Sequence, residues 1–142
     1  MERHAALASD QAASEADAVR FAETTAAELT GVGINMNMAP VLDIAFAGAD
    51  SIMAGRSFGT TPEWVATMGL RVIKGLQQAG IMAVAKHFPG LGRSNLDPHR
   101  DLPTVNAPLE EMDSIHIPPF AAAVTARVSA IMTSHAVYPA LE

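Results

Sequence analysis

Cysteine is absent from the 142 residues. That excludes disulfides and thiolate metal sites, and it leaves the redox compartment open. Basic residues are few: nine Lys and Arg stand against fifteen Asp and Glu, for a formal net charge of -6. With no basic stripe to neutralise phosphates, a nucleic-acid role is not expected. No apolar run is long enough to cross a bilayer, so no membrane segment is expected either. The opening Met1-Glu2-Arg3-His4 leads into an Ala-rich stretch and not into a signal peptide, which favours the cytoplasm. The five histidines include no His-Glu-x-x-His pair and no close carboxylate cluster, so a metal is not expected. Pro89-Gly90-Leu91-Gly92-Arg93 is not followed by Gly-Lys-Ser/Thr, so it is a weak phosphate-loop signal and no cofactor is implied.

What is present suits a sizeable core: 49% of the residues are apolar. The length allows at most one ordinary domain. Gln11 to Thr30 reads as a helix, with Ala18, Phe21, Ala22, Thr25 and Leu29 on one face and Gly31 and Gly33 as its stop. Ile34 to Val41 is a short extended run, and residues 46–59 are loop-like. Thr61-Pro62-Glu63 starts a second helix, with a hydroxyl cap and Pro at its first position. Its apolar face is Val65, Met68, Val72, Ile73 and Leu76, and Gly80 ends it. Ile81 to Ala85 is continuously apolar, as in a strand buried on both faces. A polar loop runs from His87 to about Pro103. A third helix begins near Pro108, with Asn106 as cap, and Pro118-Pro119 breaks or restarts it. Ala130 to Thr133 is the third strand. Helix and strand alternate, and Ile34, Ile81 and Val128 recur at equal intervals near the strand starts. The pattern predicts about three parallel βα units. These suit a small doubly wound sheet or part of a (β/α)8 barrel; a complete barrel takes at least roughly 200 residues.

The chemistry concentrates in Lys86-His87-Phe88-Pro89-Gly90-Leu91-Gly92-Arg93-Ser94-Asn95-Leu96-Asp97-Pro98-His99. This stretch starts at the end of a buried strand, where sites form in parallel α/β folds. Asp97 can orient His99 and support its protonated form, giving a proton donor that works near neutral pH.

The same stretch resembles the signature loop of the β-N-acetylglucosaminidases of glycoside hydrolase family 3: Lys-His-Phe/Ile-Pro-Gly-x-Gly, four residues, then Asp-Ser/Thr-His. Asn37-Met38-Ala39-Pro40-Val41-Leu42-Asp43, Gly55-Arg56-Ser57-Phe58-Gly59 and Met132-Thr133-Ser134-His135-Ala136-Val137-Tyr138-Pro139 resemble further family blocks in family order. The resemblance implies a partial (β/α)8 TIM-type barrel, with residues 1–142 a fragment of one N-terminal domain lacking its first and last parts. It implies release of terminal β-linked N-acetylglucosamine from small saccharides or peptidoglycan fragments, with retention. It also assigns His99 and Asp97 as the acid/base dyad, and Arg56, Lys86 and His87 as sugar-binding residues. The ammonium and guanidinium among them are donors that grip hydroxyls with directional bonds.

Three features depart from the family pattern. Pro98 stands where the family has Ser or Thr. The Asp-x-Glu-Gly-Gly block is absent. No late strand remains to supply the nucleophilic aspartate, so none is assigned in this chain, and the fragment alone is expected to be inactive. A non-catalytic sugar-binding or barrel-completing chain, closed by a complementing chain segment, is the alternative. Asp43 is expected in a structural role, capping a turn or orienting a neighbour, and His135 as a satisfied core histidine. His4 and His116 are expected at the surface. Met36, Met38, Met53, Met68, Met82, Met112 and Met132 are expected to fill core and loop gaps.

Overall fold

The computed structural model describes residues 10–46 and 50–142; the surface position expected of His4 and the loop reading of residues 47–49 lie outside the described residues. Helix α1 spans Gln11–Gly31, capped by Asp10, whose side chain accepts from the backbone N–H of Ala13 at 3.0 Å. Strand β1 (Met36–Asn37), helix α2 (Pro62–Gln78) and strand β2 (Met82–Phe88) follow. The next connection holds a short α3 (Leu109–Glu111), a π-helical turn (Met112–His116) and α4 (Pro118–Thr125), and it leads to β3 (Ala130–Thr133) and a 3₁₀ turn (Pro139–Leu141).

The three strands form one parallel sheet in the order β1-β2-β3. Ala83, Val84 and Ala85 of the central strand are buried, as a continuously apolar run in a parallel sheet requires. The strand reaches past the expected end at Ala85: Phe88 pairs with Thr133, and its carbonyl accepts from Ser134 N–H at 2.8 Å. The register slips between Lys86 and Phe88. A slip of that kind breaks the side-chain alternation of a regular strand.

Helix α2 buries the face its sequence predicts, Val65, Met68, Val72, Ile73 and Leu76. Thr61 stands at its N-cap with Pro62 following, but the hydroxyl makes no capping bond, so the cap expected of it is not formed. Helix α1 departs further. Its buried residues are Ser14, Ala18, Ala22 and Ala26, while Phe21, expected on that face, is 47% exposed. The reason is the close approach of α2. A Cβ added at Gly75 would lie 2.6 Å from Ala22 Cβ, and only a row of small residues fits such a crossing. The third helix begins next to Pro108 as expected, but Pro108 and not Asn106 stands at its N-cap, and of the two outcomes expected at Pro118-Pro119 the helix restarts.

His116 is buried to 1% exposure, against the surface position expected of it, because the π-helical turn rotates it under the loop that follows β2. Met53, Met68 and Met112 fill the interior, whereas Met38 and Met82 are exposed. Phe88 and Phe120 meet edge to face at 5.4 Å and join the sheet to α4. No described helix is long and apolar enough to cross a membrane.

Gly92 lies directly on the segment after β1: a Cβ there would sit 1.8 Å from the Ile44 carbonyl oxygen. Gly31 has nothing within 4 Å. Gly92→Ala is therefore expected to lower unfolding free energy by about 3 kcal/mol, and Gly31→Ala to change it by less than about 0.5 kcal/mol. Urea unfolding of the two variants beside the parent measures both.

Candidate active site

A cavity of about 580 Å³ opens where the strands end. Lys86 and His87 reach it from the end of β2, Thr133, Ser134 and His135 from the end of β3, and Arg56 from the loop before α2. Asp97 and His99 close it from the loop after β2. The five residues singled out from the sequence thus surround one space, although they are spread from position 56 to position 99 of the chain. Lys86 and His87 are adjacent and would point to opposite faces of a regular strand. The register slip after Lys86 lets both line the cavity.

Asp43 fixes His87. The carboxylate is fully buried and accepts from His87 Nδ1 at 2.7 Å, His87 N–H at 3.2 Å and Leu91 N–H at 2.6 Å. A carboxylate only accepts here, so the ring proton sits on Nδ1 and Nε2 is the nitrogen left for a ligand. The expectation that Asp43 orients a neighbour fits this geometry. The buried hydroxyl of Ser57 donates to the Asp43 carbonyl at 2.7 Å, which ties the Arg56 loop to the same point.

Burial holds Lys86 below the usual ammonium range, the nearby Arg56 guanidinium lowers it further, and Asp43 opposes both. Among the described residues neither Lys86 nor Arg56 forms an ion pair with a carboxylate. Arg56 Nη1 donates to Met53 Sδ at 3.8 Å, and the other guanidinium donors and the Lys86 ammonium are left to whatever enters the cavity.

Asp97, Pro98, His99 and Arg100 form a turn closed by Arg100 N–H donating to the Asp97 carbonyl at 2.9 Å. Asp at the first position and Pro at the second are the residues such a turn favours, so Pro98 suits this geometry. The turn brings His99 N–H to 2.9 Å and His99 Nδ1 to 2.8 Å from Asp97 Oδ1. The backbone bond first, and then the ring bond, hold the Asp97 carboxyl below its ordinary range, so it stays a carboxylate facing the imidazole. The His99 side chain is 83% exposed, which leaves Nε2 free to meet a substrate atom.

His135 is exposed and lines the cavity, so the expectation of a satisfied core histidine is corrected. Its place just past the end of a parallel strand was the signal for this. Tyr138, in the block from Met132 to Pro139, has no role assigned from the sequence, yet its hydroxyl donates to the Gly90 carbonyl at 3.0 Å and pairs with Ser134 Oγ at 2.7 Å. Burial pushes that phenol up from 10.0 to about 12. No group of three or more potential metal ligands occurs among the described residues.

Residues 3–142 match the model of the glycosyl hydrolase family 3 N terminal domain. Beta-hexosaminidase A of Pseudoalteromonas piscicida is 35% identical over 126 residues, which is 88% of this chain and 21% of that protein. A glycoside hydrolase family 3 beta-N-acetylglucosaminidase from Paenibacillus sp. str. FPU-7 superposes with a TM-score of 0.81 at 40% identity, over 88% of this chain and 24% of that one. NagZ from Neisseria gonorrhoeae superposes with a TM-score of 0.85 at 34% identity, over 92% of this chain and 38% of that one; that protein also has a structure in complex with N-trifluoroacetyl-D-glucosamine. The chain therefore spans between 21% and 38% of the length of these relatives.

Removing the Asp43 carboxylate strands three donors, so Asp43→Ala is expected to cost about 3–5 kcal/mol of stability, read from urea midpoints. Tyr138 predicts a pH effect. Its folded value lies above its unfolded one, so its contribution is complete below pH 10 and is lost as the pH rises toward about 12. Tyr138→Phe should remove that part of the alkaline decline, seen as a shallower fall in stability between pH 10 and 12 than in the parent.

Proposed function

The chain belongs to glycosyl hydrolase family 3, within its N-terminal domain, and on that premise we propose that it supplies the sugar-gripping residues and the proton donor of a retaining β-N-acetylhexosaminidase. The observation that carries this reading is the meeting of Asp97, His99, Arg56, Lys86 and His87 around one cavity at the carboxyl ends of parallel strands.

The roles follow from the chemistry of each group. Arg56 and Lys86 donate to sugar hydroxyls, and His87, locked by Asp43, presents Nε2 to another. Asp97 stabilises the His99 imidazolium, and His99 gives its Nε2 proton to the glycosidic oxygen as the C–O bond breaks. A carboxylate outside these residues takes the anomeric carbon and forms a covalent glycosyl intermediate. His99 then removes a proton from the water that releases the sugar. The substrates proposed are terminal β-linked N-acetylglucosaminides, including peptidoglycan fragments. The three βα units are proposed to be part of a (β/α)8 barrel, and residues 1–142 part of a single domain. The 142 residues alone are proposed to be inactive, for lack of the nucleophile.

One observation favours a second reading, in which the chain is a sugar-binding piece that joins a complementing segment. Among the described residues β1 and β3 each pair with β2 alone, so both outer edges of the sheet are open.

An N-acetylglucosaminide with a chromogenic leaving group separates the two readings. The longest natural polypeptide carrying this chain is expected to release the chromophore, and His99→Ala to lower kcat by about 100-fold or more. A folded His99→Ala variant with near-parental kcat contradicts the role given to His99. Turnover by the 142 residues alone contradicts the placing of the nucleophile elsewhere, and it also excludes the second reading.

A further inference from the structure

The loop carrying Asp97 and His99 is held at both ends. At its far end Thr104 bridges to Val137, and Val105 N–H donates to the Val137 carbonyl at 2.9 Å. At its near end Ser94 accepts from Ile52 N–H at 3.0 Å, and the Arg93 guanidinium grips both carboxylate oxygens of Glu111. Between these anchors residues 95–102 are exposed, apart from the half-buried Pro98. The reach of His99 over the cavity is therefore the reach of a short strap, and it depends on where the near anchor sits.

That anchor has a support of its own. His116 Nε2 lies 3.0 Å from Glu111 Oε1, and a carboxylate only accepts, so the ring donates. The two residues are five apart. In an α-helix they would face apart; the π-helical turn, in which Ile117 N–H donates to the Met112 carbonyl at 2.9 Å, brings them together. His116 also fills the space beneath the turn before Arg93: a Cβ on Gly90, whose φ is +137°, would lie 2.9 Å from His116 Cβ. Phe46 meets the His116 ring edge to face at 5.7 Å, and the Arg93 guanidinium lies 5.2 Å from the centre of the same phenyl ring. His116 Nδ1 has no hydrogen-bond partner. An orphan buried nitrogen is costly, so hydrogen bonding at the ring's other nitrogen, toward Glu111, accounts for an imidazole at this place better than filling of the core does.

We propose that Glu111 and His116, neither of which lines the cavity, are positioning residues that hold the near end of the His99 strap through Arg93 and so set the place from which His99 delivers its proton. Arg93 is the strap's own fastening, and the three act in series. The proposal rests on the reading of His99 as proton donor. The Arg93 bonds first, and then burial and the His116 bond acting in opposite directions, leave Glu111 below its ordinary range, so it remains the carboxylate this arrangement needs.

The test uses the longest natural polypeptide carrying the chain, with Glu111→Gln, His116→Gln and Arg93→Lys. Glu111→Gln is expected to lower kcat by about tenfold or more on a chromogenic N-acetylglucosaminide while KM stays within about twofold, because Arg56, Lys86 and His87 are untouched. Arg93→Lys, which keeps charge but loses the two-pronged grip, should fall between this variant and the parent. Amide hydrogen exchange should rise in residues 95–102 and stay unchanged in β2 and α2. Unchanged kcat and loop exchange in folded Glu111→Gln overturn the proposal, as does a rise in exchange spread over the whole chain. If the parent itself hydrolyses nothing, the reading of His99 fails, and the exchange pattern still decides whether the fastening exists. His116→Gln can fail to fold; Glu111→Gln and Arg93→Lys then carry the decision.

Discussion

The carboxylate of Asp43 is buried, and it is kept there by three donors that all come from another βα segment, two from His87 and one from Leu91. A buried charge is tolerable only when its lone pairs are satisfied. This requirement dictates how the chain leaves β2: the ring and N–H of His87 and the N–H of Leu91 must all turn toward one residue of the neighbouring segment. The carbonyl of the same residue accepts from Ser57, which sets the Arg56 loop. One residue therefore serves as the reference point for two of the segments that line the cavity, and disturbing it moves both.

Two kinds of support meet at this cavity. Lys86, His87 and Arg56 stand on strand ends and on a loop pinned by buried hydrogen bonds, and a partly buried ammonium beside a guanidinium loses little further hydration when a hydroxyl-bearing ligand arrives. Asp97 and His99 stand instead on an exposed turn whose internal geometry is fixed by Asp97 and Pro98 while the strap as a whole rests on its anchors. A rigid grip for the sugar and a carried proton donor are compatible with the glycosidase reading, in which the same imidazole acts as acid and later as base. The buried middle of β2, Ala83 to Ala85, carries no polar side chain.

Much of this was legible from composition and pattern. The apolar face of α2 follows from helical spacing, and the central strand follows from an unbroken apolar run between Gly80 and Lys86. The Asp97–Pro98–His99 turn is local, so neighbouring residues carry nearly all its information. The failures share a cause. Phe21 was expected inward because it is large and apolar, yet the spacing between α1 and α2 admits only alanine-sized groups. His116 was expected outward and His135 inward, and both are reversed. A π-helical turn and a strand end on the edge of a cavity place those rings, and neither feature has a period in the sequence.

The amino-acid order by itself determined the alternation of helix and strand, the turn chemistry of the Asp97–His99 loop, and the placing of a polar stretch directly after the apolar run of β2. These depend on neighbours a few positions apart, through hydrogen-bond geometry and helical or strand periodicity. Only the tertiary structure decided that Asp43 would lock His87, that Arg56 would share a cavity with His99, and that His116 would reach Glu111 beneath Gly90. Those outcomes depend on which segments of the sheet lie side by side and on how closely backbones pack. Such contacts balance burial against lost polar partners across long stretches of chain, and no local pattern records that balance.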